Sequence, residues 1–390
     1  QTGEPAGTPQ QPQPESVSNV EIKGKVPVNP ETLRVRLPRP QEGELSNGLR
    51  VYLLEDRSLP TFYMNFVIEG GGLADPPDQR GLAMVTASLL REGTKERTSR
   101  EIAEQLATLG ASLGASASPA SGESTVQVSG LSENLDAALA IVADVIRNPV
   151  FPQTELDKFK GRFAAQLQYQ RSLPGFVAQE QFLSAVYGEH PASLIVPPED
   201  AIAAMTSADL AKYHQATYNA SNTFVLVHGD VGLKDLIAKL ERAFGSWVKG
   251  DAPSAATEQI KAPERARVFI IDRPASVQTS LRVGSLGIER ASDDYFAMLV
   301  MNHILGGGPA SRLFTNLRED KGYTYGVFST FSGSTFPGTV FTSTDVRTEV
   351  TADAMQELMR ELRRIAEEPV SKQELDNAQR ALVGRFALSL

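Results

Sequence analysis

The 390-residue sequence contains no cysteine, one tryptophan and four histidines. Without thiols there is no disulfide framework, no thiolate zinc site, no iron–sulfur ligation and no cysteine nucleophile. His190, His214, His228 and His303 are the whole supply of imidazole. Long apolar runs are absent too. The longest, such as Phe296 to Met301, fall far short of the roughly 20 residues that a membrane-spanning helix needs, so no such span is expected. Clusters of Lys and Arg that could track phosphates are also missing. With 38 Lys+Arg against 47 Asp+Glu the formal charge is −9, which argues against nucleic acid or an anionic membrane as the main partner. What the chain has in quantity is apolar residues, 41%, over a length too great for one ordinary core and enough for two.

The chain starts at Gln1, and residues 1–40 carry 8 of the 24 prolines, with many Gln, Gly and Ser and no apolar period. Such a stretch cannot bury a core, so residues 1–43 are expected to form a tail. A Pro/Gln-rich leader without Met is what cleavage of a secretory signal would leave, although a trimmed chain would read the same. A chain free of Cys is at ease in an oxidising compartment, and the expected location is periplasmic or otherwise exported.

Order is expected from Leu45-Ser46-Asn47-Gly48-Leu49, where Asn-Gly supplies the positive φ angles of a tight hairpin ahead of the strand Val51 to Leu54. Phe62, Met64, Phe66 and Ile68 alternate with other residues over a half-buried strand. A helix is expected from about Gln79 to Leu90. Thr98 and Glu101 make a capping box for the next, whose Ile102, Leu106 and Leu109 share a face before Gly110. Val126 and Val128 mark a strand, Leu135 to Ile146 a helix, and Thr223 to Val227 a further strand. Strands and helices interspersed with hairpins give an α+β class.

Parts of this pattern recur. Glu155-Leu156-Asp157 returns as Glu374-Leu375-Asp376 at an offset of 374 − 155 = 219, Pro149-Val150 as Pro369-Val370 at 220, and Ala83-Met84 as Ala297-Met298 at 214. Offsets this close across separate elements imply two related domains, 44–248 and 265–390, joined by an Ala/Pro/Lys/Glu-rich linker at 249–264. The first copy runs some 80 residues beyond Glu155 and the second stops sixteen past Glu374. The second domain is therefore expected to be incomplete, either truncated or finished by a partner.

Four blocks carry a resemblance over about 44–390: Leu45 to Tyr52, Gly81-Leu82-Ala83, Glu92-Gly93-Thr94, and Gly306 to Phe314 with Leu317-Arg318-Glu319. In this order and spacing they resemble the insulinase/pitrilysin superfamily of zinc peptidases, in its small two-domain bacterial branch related to mitochondrial processing peptidase. The resemblance implies two similar α+β halves closing like a clamshell on an extended peptide.

Active members of that superfamily place an inverted zinc motif, His-x-x-Glu-His, directly after the Gly-Leu-Ala helix start. Residues at i and i+4 share a helix face, so two imidazoles can reach one Zn²⁺ while the Glu serves as base for the bound water. Here those positions hold Met84, Ala87 and Ser88, and the third ligand position, a Glu in active members, falls at about Ala165, beside Ala164 and Gln166. A thioether, two methyls and a hydroxyl leave no zinc site, and Met84 reads as core packing. The four His are separated by 24, 14 and 75 residues with no i, i+4 pair, so no metal is assigned elsewhere. His190 and His228 read as solvated or singly hydrogen-bonded, and His303 as a satisfied core or interface residue.

The same resemblance implies a substrate role for an Arg and a Tyr seven positions apart in the second domain, here Arg318 and Tyr325; Arg312 and Tyr323 lie close enough to be confused with them. A guanidinium fork and a phenol suit gripping peptide carbonyls and charge developing on a scissile oxygen. The residue types alone would equally make Arg318 a surface partner of Glu319 or Asp320 and Tyr325 a strand aromatic. Gly306-Gly307-Gly308 lacks the Lys-Ser/Thr of a phosphate loop.

Two functions are expected from these readings. The first is a non-catalytic, substrate-binding subunit of a heterodimeric zinc metallopeptidase, its homologous partner carrying His-x-x-Glu-His and the zinc, with no cofactor in this chain. The second is a structural or peptide-binding scaffold without a catalytic role.

Overall fold

The computed structural model describes residues 33–250, 260–274 and 276–389. Most of the tail (1–43), the middle of the linker (249–264) and Leu390 lie outside the described residues.

The first half is built from β1 (Gln41–Glu44), β2 (Arg50–Glu55), β3 (Thr61–Glu69), α1 (Leu82–Leu89), α2 (Ser99–Thr108), β4 (Ser112–Ala117), β5 (Glu123–Leu131), α3 (Leu135–Arg147), α4 (Gln153–Ser172), α5 (Pro174–Tyr187), α6 (Glu199–Ala204), α7 (Ser207–Thr217), β6 (Thr223–Gly229) and α8 (Leu233–Phe244). Its six strands lie in the order β1-β2-β6-β3-β5-β4. The hairpin between β1 and β2 closes with the Leu45 amide on the Leu49 carbonyl at 3.0 Å and Gly48 at φ +86°. Asn47 ties it to α8 by donating to the carbonyls of Phe244 and Trp247. Because Gln41 pairs with Leu53 and Gly43 with Val51, residues 41–43, expected in the tail, belong to the sheet.

β6 is the central strand, parallel to β2 and antiparallel to β3. Phe62, Met64, Phe66 and Ile68 of β3 point to one face and are buried against α1, α3 and α8, the alternation expected of a sheet covered on one side. The capping box of α2 forms at both ends, the Thr98 hydroxyl accepting from the Glu101 amide and the Glu101 carboxylate from the Thr98 amide at 2.8 Å. α1 starts at Leu82, three residues later than expected. Gly81, at φ +98°, turns the chain there, and the Asp75 carboxylate accepts from the Gly81 and Ala83 amides at 2.7 and 3.0 Å.

The second half contains β7 (Gln278–Leu286), α9 (Tyr295–Gly306), a π-helical segment (Phe314–Asp320), β8 (Thr324–Phe331), β9 (Thr339–Arg347), α10 (Thr351–Glu367) and α11 (Lys372–Leu388). Its sheet has the order β7-β9-β8, all antiparallel, which is the order of β3-β5-β4. The core beneath it is limited to side chains such as Leu281, Leu305, Leu317, Val327 and Leu358.

The halves meet through α5, which leaves the first and lies on the outer face of the second sheet. The Phe182 and Phe341 rings stand 5.0 Å apart, Arg282 of β7 donates to the Gln179 side chain and the Gly175 carbonyl, and the Tyr187 hydroxyl donates to the Pro337 carbonyl. Of the two readings of His190 the structure excludes the solvated one and keeps the hydrogen-bonded one: the residue is buried, its Nδ1 accepts from the Ala192 amide at 3.1 Å and its ring packs 5.2 Å from Phe336.

Ahead of β7, Arg267-Val268-Phe269-Ile270-Ile271-Asp272 repeats the β2 pattern Arg50-Val51-Tyr52-Leu53-Leu54-Glu55 at an offset of 267 − 50 = 217. It forms no strand, and Val268 and Ile270 are 85% and 90% exposed.

Candidate functional site

Arg318 and Tyr325 are brought together by two irregularities of the second half. The helix that follows Ser311 is wound as a π-helix over Phe314–Asp320, with Phe314, Asn316 and Leu317 buried. π-turns spend an extra residue per turn and survive where side chains hold them. Here Asn316 donates to Glu361 at 2.7 Å and Glu357 at 3.0 Å, and Glu361, only 1% exposed, is paired with Arg364 at 2.9 Å. The second irregularity is a bulge between Thr324 and Val327 in β8. It is fixed by the Gly326 amide on the Thr324 hydroxyl at 3.0 Å and by the Thr344 hydroxyl on the Gly326 carbonyl at 2.9 Å. A bulge re-aims the side chains it carries.

The outcome is a stack. The Arg318 guanidinium carbon lies 4.7 Å from the centre of the Phe314 ring and 4.9 Å from that of Tyr325, within cation–π range. Tyr325 is 89% exposed, so ring and hydroxyl stand in solvent. Arg318 keeps one loose ion pair, Nε to the Glu319 carboxylate at 3.5 Å. A surface guanidinium held in orientation by two rings, beside a free phenol, presents several N–H donors and one O–H donor on one face.

The neighbours that could have been confused with this pair have other duties. Arg312 pairs bidentately with Glu374 of α11 at 2.7 and 3.2 Å. Those bonds, with the Ser371 amide and hydroxyl, hold the Glu374 carboxyl down at about 2. Tyr323 packs into the second core, and its amide donates to the Leu317 carbonyl. At the end of α9 the Gly306-Gly307 stretch is a close approach: a Cβ on Gly306 would come within 2.3 Å of the Ser329 amide nitrogen. Only glycine lets α9 meet β8 there.

The helix position where the resemblance puts zinc is α1. Met84 packs against the first core, Ala87 is buried, and the Ser88 hydroxyl donates to the Met84 carbonyl at 2.7 Å. Ala165 is exposed on α4, whose main packing partners are α5 and α6. None of these side chains fits a zinc ion, which takes imidazole nitrogen, thiolate or carboxylate oxygen. Among the described residues no three His, Asp or Glu side chains are grouped to hold a metal, and no helix is long and apolar enough to cross a membrane.

The remaining imidazoles lie apart from one another. His214 is buried between Phe151 and Tyr218 with its Nε2 on the Ile146 carbonyl at 2.7 Å, and burial lowers its pKa to about 4. His228 is exposed, 3.5 Å from Asp56. His303, partly buried on α9, is lowered by desolvation and by the Arg385 charge.

Sequence reasoning did not find Asn316 and Glu361, which hold the segment carrying Arg318. A π-turn leaves no period in the letters, and a buried Glu in a helix full of Glu and Arg looks like any solvated carboxylate.

Comparison with known proteins adds the following. Residues 50–197 match the model of the insulinase family (peptidase family M16), and residues 204–382 match that of the peptidase M16 inactive domain. A Bacillus subtilis protein named uncharacterized zinc protease YmxG is 26% identical over 349 residues, 88% of this chain and 83% of its own. A Helicobacter pylori protein named non-peptidase homolog YmxG is 25% identical over 85% of this chain and 76% of its own. Among solved structures, the peptidase M16 inactive domain from Pseudomonas fluorescens is 30% identical, with a TM-score of 0.83, over 89% of this chain and 84% of that one.

Proposed function

Because the chain belongs to the M16 (insulinase) peptidase family, we propose that it is a non-catalytic, substrate-binding subunit of a heterodimeric zinc metallopeptidase. The observation that carries this reading is the contrast between two places. The helix that would hold zinc offers Met84, Ala87 and Ser88, while Arg318 and Tyr325 stand stacked and exposed. A homologous partner with His-x-x-Glu-His brings the metal, its water and the base. This chain then turns the guanidinium and phenol toward the peptide carbonyl, donors best used where oxyanion charge develops. The substrates are unfolded peptides lying as an added strand inside a clamshell of the two halves. A periplasmic or otherwise exported location belongs to the same reading, since a chain without cysteine is at ease in an oxidising compartment.

The test is to assay the chain alone and with its partner for zinc and for peptide cleavage. The reading expects neither alone and both in the pair, with Arg318→Ala and Tyr325→Phe lowering turnover of the pair by about 100-fold. Full activity of the isolated chain would refute it. The name of the Helicobacter relative, non-peptidase homolog, favours a second reading as a peptide-binding scaffold. Under that reading neither substitution changes any activity of the assembly.

A further inference from the structure

The first sheet ends in two edge strands of opposite character. β1, at one end, is Gln41-Glu42-Gly43-Glu44 and follows Pro40; charge and proline at an edge discourage a further strand. β4, at the other, is Ser112-Leu113-Gly114-Ala115-Ser116-Ala117, with no charge, no proline and no bulge. The register fixes which of its backbone groups are free. Glu69 of β3 lies opposite Glu123 and the Gly70 amide donates to the Gly122 carbonyl, so Val126 and Val128 of β5 spend their amides and carbonyls on β3. Thr125, Gln127 and Ser129 spend theirs on Ser116, Gly114 and Ser112. The amides and carbonyls of Leu113, Ala115 and Ala117 therefore point away from the sheet.

One of those groups is taken. Arg91, exposed just past the end of α1, donates from Nη1 to the Leu113 carbonyl at 2.5 Å, and among the described residues it forms no ion pair. A guanidinium is thus anchored at one end of the free edge with its charge unspent. We infer that β4 takes up an extended peptide antiparallel to itself, and that Arg91 holds the peptide's free C-terminal carboxylate. Direction follows from position: an antiparallel strand runs from Ala117 toward Leu113, so its C-terminus arrives at Arg91. The last residue lies opposite Leu113, where its carboxylate accepts from the Leu113 amide and from the guanidinium N–H groups that the Leu113 carbonyl leaves over. The third residue from the end lies opposite Ala115 and the fifth opposite Ala117, each exchanging both backbone bonds. Their side chains share the face on which Leu113, Ala115 and Ala117 pack toward the first core, so apolar residues suit these places. The residues between share the face of Gly114, where a Cβ would meet nothing within 4 Å, and are free to vary. A peptide continuing past Leu113 would meet the Arg91 side chain and leave its charge unpaired, so peptide ends are preferred to internal segments.

The inference rests on the reading of the chain as a peptide binder and adds the edge, the direction and the end that is recognised. It is tested on the isolated chain by fluorescence anisotropy, with an N-terminally labelled Gly-Ser-Val-Thr-Val-Thr-Val made as the free acid and as the C-terminal amide. The acid is expected to bind about 10- to 100-fold more tightly than the amide, the difference that a hydrogen-bonded charge supplies. Arg91→Gln should bring the acid down to the amide and leave the amide unchanged, and added salt should narrow the gap. Ala115→Pro removes an outward amide without touching the β4–β5 ladder and should weaken both peptides about 10-fold or more. If that variant folds poorly, slowed hydrogen exchange of the Leu113 and Ala115 amides on adding peptide to the unaltered chain reads the same edge. Equal affinity of acid and amide overturns the inference, as does an unchanged acid affinity in Arg91→Gln or no binding of either form. None of these decides the subunit reading, which rests on turnover in the assembled pair. An inert Arg318→Ala there refutes that reading and leaves a carboxylate preference at Arg91 standing.

Discussion

In the first half, β3, β5 and β4 are continued by β6, β2 and β1, and the core beneath them reaches from Leu45 to Trp247. In the second half the same three-strand order, β7-β9-β8, stands without that continuation among the described residues, and its core is confined to the space under α9, α10 and the π-helical segment. The half with the larger core is the one whose family position for zinc is filled by packing. The half with the smaller core carries the irregular backbone and the exposed side chains. The larger buried core and the exposed, irregularly held side chains thus fall in different halves. Met84, Ala87 and Ser88 are what a helix keeps when it has only to pack. Phe314, Arg318 and Tyr325 form a cluster that packing alone does not call for, since a bare tyrosine on a bulged strand adds little to stability.

If the halves differ in this way, they should come apart separately. Unfolding by urea is expected to show two transitions, the lower one belonging to the second half. Phe66→Ala, at a fully buried site of the first core, should lower only the upper transition, by about 3–5 kcal/mol. A single transition that moves as a whole would show that α5 couples the halves into one unit. A comparable effect is expected from the first half's buried ion pair. Asp144 takes Arg97 at 2.6 Å and the Thr94 hydroxyl at 2.5 Å. Asp144→Ala removes the buried partner of the mostly buried Arg97 guanidinium, which keeps only the exposed Glu96 at 3.3 Å and the Gln105 side chain at 3.0 Å, and should cost about 3 kcal/mol, read as a shift of the same upper transition.

Acid separates the halves by different groups. In the first, burial holds His214 at about 4, well below its unfolded value, so the folded form excludes a proton that the unfolded chain takes up. The stability this neutral imidazole allows is complete above about 6.5 and is lost as pH falls toward 4. Asp75 works against it: desolvation raises its carboxyl to about 6 despite the amides of Ala83 and Gly81, so its ionisation penalises the fold as pH rises from about 4 to 6. In the second half the Arg312 bonds depress Glu374 to about 2, and the stability they give is present above about 4.5 and lost as pH falls through 2. Melting followed against pH should show His214→Gln leaving the Asp75 penalty unopposed, so that the upper transition falls as pH rises from about 4 to 6. Glu374→Gln should flatten that of the lower one below 4.5. Either substitution altering the other half's slope would blur the division.

The sequence reading and the structure agree where local chemistry decides. The Asn47-Gly48 turn, the Thr98/Glu101 box and the alternation of Phe62 to Ile68 each need only neighbours in the chain. The strands that went unread are short ones with few strand-forming residues. β4, Ser-Leu-Gly-Ala-Ser-Ala, has little strand propensity and is held by β5, and β1 lies in a polar stretch held by β2. The site was legible only as a spacing of seven between Arg318 and Tyr325. Their contact depends on a bulge closed by Thr344 and a π-turn held from α10 by Glu361, and both are tertiary. That His190 is hydrogen-bonded and buried rather than solvated could not be read from its neighbours alone, since Phe336 packs on its ring from far along the chain.

The smallest effects on stability should come from the site itself. Arg318→Ala and Tyr325→Phe are expected to move the lower transition by less than about 0.5 kcal/mol, as surface changes do. Glu361→Gln, which weakens the brace under the π-helical segment, should move it further and should also loosen Arg318 from the Tyr325 ring, seen as a shift of the tyrosine ring signals by NMR. If Arg318→Ala destabilised the second half as much as a core truncation, the stack would be a packing feature and the comparison between the halves would fail.

The central claim is that α1 has given up the metal and that cutting power must come from another chain. Metal analysis of the isolated protein after equilibration with a slight excess of zinc tests it most directly. The account predicts far less than one zinc per chain and no chelator-sensitive peptide cleavage. One tightly held zinc per chain, with cleavage that a chelator abolishes, would contradict it.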